Sequence, residues 1–263
     1  MRQMLTLLWL GYCLRMRAES AYRMNWVVGL AGQAFFSALS LVFLFFFLPA
    51  GTAVSGWQIS DFLLLLGMSD IAFGLAAGLF FRLFLVFDSE YILYGRLDSA
   101  LTQPTAPLVW LAARTMNPLE VITVLKGMAL IGLTSLWLAP GGGWLTIGGF
   151  FLFTATGAMI YSGIFLSLLA TGFWMQRRTA LSAPFLSINQ LGQMPLFIYP
   201  EAVRLLLTVV APIGFVAYYP LAALKHTLPG FWLLLTVAVA LGCIGAGAWL
   251  FARGVKRYEG AGH

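Results

Sequence analysis

The chain between residues 27 and 252 is a succession of apolar blocks joined by short connections. A helix needs about 20 apolar residues to cross the hydrocarbon core of a bilayer. The pattern therefore predicts an all-α polytopic membrane protein, in which six transmembrane helices form one domain over 27–252. The predicted spans are residues 27–48, 61–84, 120–138, 144–174, 180–199 and 231–252.

Prolines interrupt two neighbouring blocks in the second half of the chain. Pro184 and Pro195 fall within 180–199, and Pro212 breaks the apolar stretch 202–220. Irregular backbone at membrane depth is tolerated where it is buried in protein or lines a cavity. We therefore expect the first block to be the fifth span. The second is expected to be a re-entrant hairpin that enters the bilayer from the outer side and returns.

Residues 1–26 combine basic side chains with an apolar stripe at helical spacing. The stripe consists of Leu5, Leu8, Trp9, Tyr12 and Met16. This pattern is typical of an amphipathic helix that lies in the membrane interface with its arginines at the head groups. The alternative is a positively charged flank that only sets the orientation of the first span.

The composition agrees with a membrane protein. Only 9% of the residues are charged, and the mean hydropathy is +0.91, whereas a soluble domain has about 25% charged residues. The net charge of +6 comes from Lys and Arg that flank the apolar blocks. It indicates contact with membrane lipid rather than with nucleic acid.

Lys and Arg are distributed unevenly between the two sides of the predicted bundle. The outer loops 49–60 and 139–143 contain neither residue, while Arg177 and Arg178 lie in an inner connection. The positive-inside rule then predicts that the N-terminus and the C-terminal tail, 253–263, are both cytoplasmic.

The longest inner connection follows the second span. Leu93, Leu97 and Leu101 repeat every four residues, and Pro104 disfavours helical geometry in the residue before it. The spacing predicts one amphipathic helix over 89–102. Two interpretations fit this helix: it caps the bundle as a connector, or it docks onto a cytoplasmic partner.

A few polar side chains fall inside the apolar blocks. Asp70, Asn189 and Gln193 are candidates for a translocation path, because intramembrane polar groups face protein or water. Asp61 and Asp70 lie on similar helix faces and suit a proton or cation path. The alternative for this pair is an interfacial aspartate and a helix–helix hydrogen bond.

The sequence argues against an enzyme. Intramembrane catalysis needs paired carboxylates, a histidine cluster or a nucleophile with its base. The two histidines, His226 and His263, are far apart, and Cys13 and Cys243 have no metal-binding spacing. We therefore expect no catalytic residue and no metal ligand.

Two motifs resemble those of a known family. Residues 94–104, YGRLDSALTQP, are similar to the G-x-LD-x-x-L-x-x-P signature of ABC-2 type transporter permeases. The C-terminal sequence from Trp249 to Gly262 resembles the closing W…G…RY-x-G-A-G motif of a six-span branch of that family, once catalogued as a domain of unknown function. The proline-broken region 195–220 is similar to its penultimate span and re-entrant hairpin.

The resemblance implies the membrane half of an ATP-driven exporter in a bacterial plasma membrane. Such a permease pairs with a second copy or a paralogue and with two copies of an ABC ATP-binding subunit, which binds ATP and Mg²⁺. The sequence agrees, since it contains no phosphate-binding G-x-x-x-x-G-K-[ST] motif. By resemblance, the residues that couple to the ATPase are Gly95, Leu97, Asp98 and Leu101. The alternative is a secondary transporter or channel that uses Asp61 and Asp70.

Overall fold

A computed structural model describes residues 2–21, 23–47, 54–135, 144–174, 182–225 and 227–258. The regular secondary structure of these residues is helical, apart from one bridge between Val54 and Trp57. The α-helices are α1 (Arg2–Ala21), α2 (Arg23–Phe47), α3 (Ile59–Val86), α4 (Leu97–Leu101), α5 (Pro107–Thr115), α6 (Val121–Leu133), α7 (Trp144–Thr171), α8 (Ser182–Leu191), α9 (Glu201–Leu205), α10 (Tyr218–Leu224) and α11 (Phe231–Arg257). The predicted all-α class is confirmed.

The centre of the fold is made by α3, α6, α7 and α11. Helix α3 packs against both α6 and α7, and α11 packs along α7. A Cβ atom at Gly127 on α6 would lie 2.6 Å from the carbonyl oxygen of Gly67 on α3. Likewise, a Cβ atom at Gly247 on α11 would lie 2.5 Å from the carbonyl oxygen of Gly163 on α7. Both helix pairs approach this closely because these positions have no side chain.

The GxxxG spacing of the second predicted span is used within the chain. A Cβ atom at Gly74 would meet Cγ2 of Val124 at 2.7 Å, and one at Gly78 would lie 3.7 Å from the carbonyl oxygen of Asn117. Both glycines therefore pack against α6 and the residues just before it.

An aromatic cluster holds α8 against the central helices. The ring of Phe165 on α7 lies 5.0 Å from that of Phe185 on α8, measured between centroids. Three rings of α3 surround Phe165 at centroid distances of 6.2, 6.0 and 6.3 Å: Phe73, Phe81 and Phe84. These distances are typical of favourable aromatic pairs.

Within the described ranges, three helices are long and apolar enough to cross a membrane: Ile59–Leu93, Gly148–Thr171 and Phe231–Arg257. Three bent helix pairs also qualify by length and composition, which makes up to six spans if each pair is one span. The pairs are Thr6–Ala21 with Trp26–Val42, Pro107–Thr115 with Pro118–Leu133, and Glu201–Val210 with Pro212–Leu224. The chain is therefore a polytopic membrane protein.

The predicted fifth span differs from the structure. The described part of the helix in that region, α8, is Ser182–Leu191, with 10 residues. It ends at Leu191, and the backbone stays non-helical to Pro195, which has no N–H to donate. A single 3₁₀ turn, Leu196–Ile198, follows. The stretch up to residue 199 is thus a helix and an irregular segment, since proline and glycine interrupt the apolar block.

The region expected to be a re-entrant hairpin is bent. Helix α9 continues as a π-helical stretch, Leu206–Val210, and the chain then turns by 72° into Pro212–Leu224. The bend falls at Ala211, directly before a proline that disfavours helical geometry in its predecessor. Leu207 and Leu221 are fully buried on either side of the bend, which fixes the two arms against the bundle.

The N-terminal helix lies across the next one. Helices α1 and α2 meet at an angle of 105°, and α1 packs against α5. Trp9 and Leu14 on α1 are 66% and 63% exposed. Parts of the prediction lie outside the described residues, among them the loop 139–143, the arginines 177 and 178, and the end of the tail, 259–263.

Candidate functional site

The segment that follows α3 differs from the single helix predicted over 89–102. Helix α3 continues as a π-helical stretch, Phe87–Leu93, and α4 begins only at Leu97. Between them Gly95 adopts a φ of +66°, a left-handed conformation that glycine tolerates and other residues rarely adopt. The four-residue leucine repeat continued across this break, so periodicity alone did not reveal it.

Burial divides the leucines of this segment into two groups. Leu97 is fully buried and belongs to the core of the permease, and α4 packs against α5. Leu93 and Tyr94 are each 74% exposed, and Leu101 is 38% exposed. We call Leu93, Tyr94 and Leu101 the exposed apolar face. The expectation that Leu97 itself packs into a partner groove is not compatible with its burial inside this chain.

Charged side chains border the exposed apolar face. A guanidinium nitrogen of Arg96 lies 2.8 Å from a carboxylate oxygen of Glu90, which links the two sides of the turn at Gly95. Asp98 is exposed in the first turn of α4. Its carboxylate has no ion-pair partner among the described residues, so it is free to meet a basic group on another protein.

The first candidate for the translocation path, Asp70, is almost completely buried in α3. The ammonium of Lys126 on α6 lies 2.9 Å from its carboxylate. The same ammonium donates a hydrogen bond of 3.3 Å to the hydroxyl of Ser40 on α2. Three helices therefore meet at one ion pair, which is the arrangement expected for a charge within an apolar bundle.

A second polar cluster lies at the N-terminal end of α6. The side-chain amide of Gln33 on α2 donates a 2.5 Å hydrogen bond to the hydroxyl of Thr123. That hydroxyl donates to the carboxylate of Glu120, which also accepts from the amide of Asn117. Buried Glu120 is thus satisfied by uncharged donors.

Asp61 has a cation of its own. Its carboxylate accepts hydrogen bonds from the ammonium of Lys225 and from the backbone N–H of Gln58, the latter at 2.8 Å. The ammonium of Lys225 also lies 5.2 Å from the ring centroid of Trp57. Asp61 and Asp70 are therefore paired with separate lysines. This arrangement favours a structural role for each over a shared cation path.

The other two path candidates are placed differently. Asn189 on α8 is buried, and its side-chain oxygen accepts a 2.5 Å hydrogen bond from the hydroxyl of Tyr161 on α7. Asp70, on α3, is instead paired with Lys126. Gln193 is partly exposed in the irregular stretch after α8, and the structure does not join it to either of them.

Sequence reasoning missed the partners of these groups. Lys126, a lone cation in an apolar span, carried a usable signal, because such a residue needs an acidic or polar neighbour. Tyr161 and Lys225 carried none, since they lie 28 and 164 residues from the groups they bind. Among the described residues, no group of three or more His, Cys, Asp and Glu side chains is placed to hold a metal ion.

Comparison with known proteins identifies the family. The family described as ABC-2 family transporter protein matches residues 34–262, which include both motifs and every helix from α3 onward. No curated protein and no solved structure matches the chain. With a match over most of its length and several apolar helices, the chain belongs to the ABC-2 transporter family and is a multi-pass membrane permease.

Proposed function

We propose that this permease is the transmembrane subunit of an ATP-driven exporter and forms half of its translocation path. Its family membership and its lack of a P-loop motif support a partnership with a separate ATP-binding subunit. That partner, in two copies, binds the ATP and Mg²⁺. In this proposal the permease lies in the plasma membrane, and the positive-inside rule supports cytoplasmic N- and C-termini.

The observation that best supports coupling is the exposed apolar face beside Gly95. Leu93 and Tyr94 project from the segment with three-quarters of their surface uncovered, while Asp98 presents an unpaired charge next to them. Interfaces use large apolar anchors surrounded by polar groups. In this proposal Leu101 and Asp98 contact the ATP-binding subunit directly. Gly95 shapes the turn, and buried Leu97 fixes the segment to the permease.

Copurification tests this proposal. The permease is co-expressed with the ATP-binding subunit, and the retained subunit is quantified for Leu93→Asp and Leu101→Asp. A charge buried without a partner costs about 3 kcal/mol, which is roughly a hundredfold in affinity. The matched control is Ser89→Asp, which adds the same charge at an exposed position of the same segment and should retain the partner. If both leucine variants retained as much ATP-binding subunit as the wild type, the proposed coupling role would be wrong.

The second permease subunit, a copy or a paralogue, is proposed to pack against the surface of α11 that faces away from the bundle. Only 17% of the most apolar 18-residue stretch of α11 is buried within the chain. Leu234 and Leu241 on this helix are 75% and 57% exposed. Cysteine crosslinking in membranes at Leu234 tests this, with and without a second permease expressed. An active transporter that is monomeric in the membrane would rule out the pairing.

A further inference from the structure

The structure contains a basic cavity that the proposed coupling role does not use. Its volume is about 240 Å³, and it is lined by Arg15, Arg82, Val86, Glu90, Tyr91, Arg96, Arg114 and Thr115. Four separate segments supply these residues: α1, the end of α3 with its π-helical continuation, the turn at Gly95, and α5. The cavity is therefore built by the tertiary fold and is not a run of surface charge.

Two of the arginines are neutralised within the chain. A guanidinium nitrogen of Arg82 lies 2.9 Å from a carboxylate oxygen of Glu19 on α1, and Arg96 is paired with Glu90 at 2.8 Å. Each of these contacts joins two of the segments that surround the cavity. They fix the walls but leave the lining with an excess of positive charge.

The other two arginines, Arg15 and Arg114, have no acidic partner within ion-pair distance among the residues that the structure describes. The guanidinium of Arg114 lies 4.6 Å from the ring centroid of Trp110, which orients it without neutralising it. The Nε atom of Arg15 is buried and has no hydrogen-bond acceptor among the described residues. A buried, unsatisfied donor on a cation is unfavourable unless an anion completes the site.

Close packing places Arg15 at this position. A Cβ atom at Gly11 would clash with the carbonyl oxygen of Ala113, so α1 and α5 touch backbone to backbone one turn before Arg15. The neighbouring donor is Tyr91, whose side chain is only 6% exposed. No hydrogen bond to its hydroxyl is present within the described part of the chain. The cavity thus offers several donors, and the carboxylate in its lining, Glu90, is paired with Arg96.

We propose that this cavity binds a phosphate group, with Arg15 and Arg114 as its principal ligands. Arginine recognises phosphate through paired N–H donors. Since a water molecule occupies about 30 Å³ of liquid, the cavity admits a group of several heavy atoms. Trp9 and Leu14 on α1 present an apolar surface on the same helix as Arg15, which is the setting of a lipid headgroup at the membrane interface. The phosphate belongs either to an anionic phospholipid or to a soluble ion.

Native mass spectrometry of the purified full chain in detergent tests the site without the ATP-binding subunit. The probes are phosphatidylglycerol, phosphatidylcholine and inorganic phosphate. We expect the wild-type chain to bind phosphatidylglycerol. Each of the variants Arg15→Gln and Arg114→Gln should weaken that binding about tenfold, or about 1.4 kcal/mol. Arg17→Gln is the matched control: it removes the same charge from an exposed position of α1 outside the cavity and should change binding less than twofold.

Two further results identify the source of the phosphate. Competition by millimolar inorganic phosphate against phosphatidylglycerol assigns the site to a soluble phosphate group, and lack of competition assigns it to the lipid. Arg15→Lys keeps the charge and should bind between wild type and Arg15→Gln, which separates ligand loss from misfolding. Equal losses for Arg15→Gln and Arg17→Gln would overturn the proposal. The proposal would also be overturned if the chain bound phosphatidylglycerol no more tightly than phosphatidylcholine and did not bind inorganic phosphate. Because the permease is assayed alone, failure here leaves the proposed coupling role intact.

Discussion

The ammonium of Lys126 lies 2.9 Å from the carboxylate of Asp70, and this ion pair joins α6 to α3 inside the apolar bundle. Removing one member leaves the other charged and unpaired in a region of low dielectric constant. Lys126→Met and Asp70→Asn should each destabilise the permease by about 3–5 kcal/mol. The double variant should recover part of that loss, because no unpaired charge remains. Thermal unfolding in detergent, arranged as a double-mutant cycle, measures the coupling; additive losses would contradict the pairing.

The contact between α3 and α6 depends on the absence of a side chain at Gly127. Since a Cβ atom there would lie 2.6 Å from the carbonyl oxygen of Gly67, Gly127→Ala should separate the helices and lower stability by about 1–3 kcal/mol. Gly132 lies on the same helix with nothing within 4 Å of its Cβ position. Gly132→Ala should be neutral or stabilising. The midpoints of thermal unfolding of the two variants are compared with that of the wild type. Equal shifts for both variants would argue against the close approach of α3 and α6.

The hydroxyl of Tyr161 satisfies the buried amide oxygen of Asn189 at 2.5 Å. Tyr161→Phe removes the donor and leaves that oxygen unpaired, which should cost about 1–3 kcal/mol. Tyr94→Phe is the control, because Tyr94 is 74% exposed. Stability is measured by thermal unfolding of the purified chain. A Tyr161→Phe protein as stable as Tyr94→Phe would show that the hydrogen bond does not hold α8 to α7.

Leu97 and Leu101 should respond in opposite ways to the same substitution. Leu97→Asp places a charge in the fully buried core position of α4, and the permease itself should be destabilised by several kcal/mol. Leu101→Asp alters a partly exposed position and should leave the unfolding midpoint nearly unchanged while weakening ATPase binding. Yield and thermal unfolding of the permease alone are compared for the two variants. A stable Leu97→Asp chain would show that α4 is not held by its own core.

Cysteine labelling tests the proposed orientation. In a background with Cys13→Ala and Cys243→Ala, an impermeant thiol reagent applied to cells should label Thr227→Cys, which is exposed in the segment between α10 and α11. Ser99→Cys, exposed beside the turn at Gly95, should react only after the membrane is permeabilised. Labelling of position 99 in intact cells would reverse the assigned topology.

The sequence alone was sufficient for the class of the protein. Long apolar blocks with few charges specify helices that cross a bilayer, because backbone polar groups must be satisfied within each segment. Three helices of the described residues, α3, α7 and α11, are accordingly long and apolar enough to cross a bilayer. The family resemblance rested on local motifs around Gly95 and Trp249. The family match over residues 34–262 confirms this assignment.

Only the tertiary structure decided which groups meet. Periodicity predicted one helix through Gly95, whereas a positive φ there breaks the helix and turns Leu97 into the core. Apolar content predicted a span over 180–199, whereas α8 ends at Leu191. The pairing of Asp61 with Lys225 and the convergence of four arginines on one cavity depend on contacts between distant segments. The local sequence pattern reflects the conformational preference of a residue within its own helix. These contacts depend instead on how the helices pack against one another.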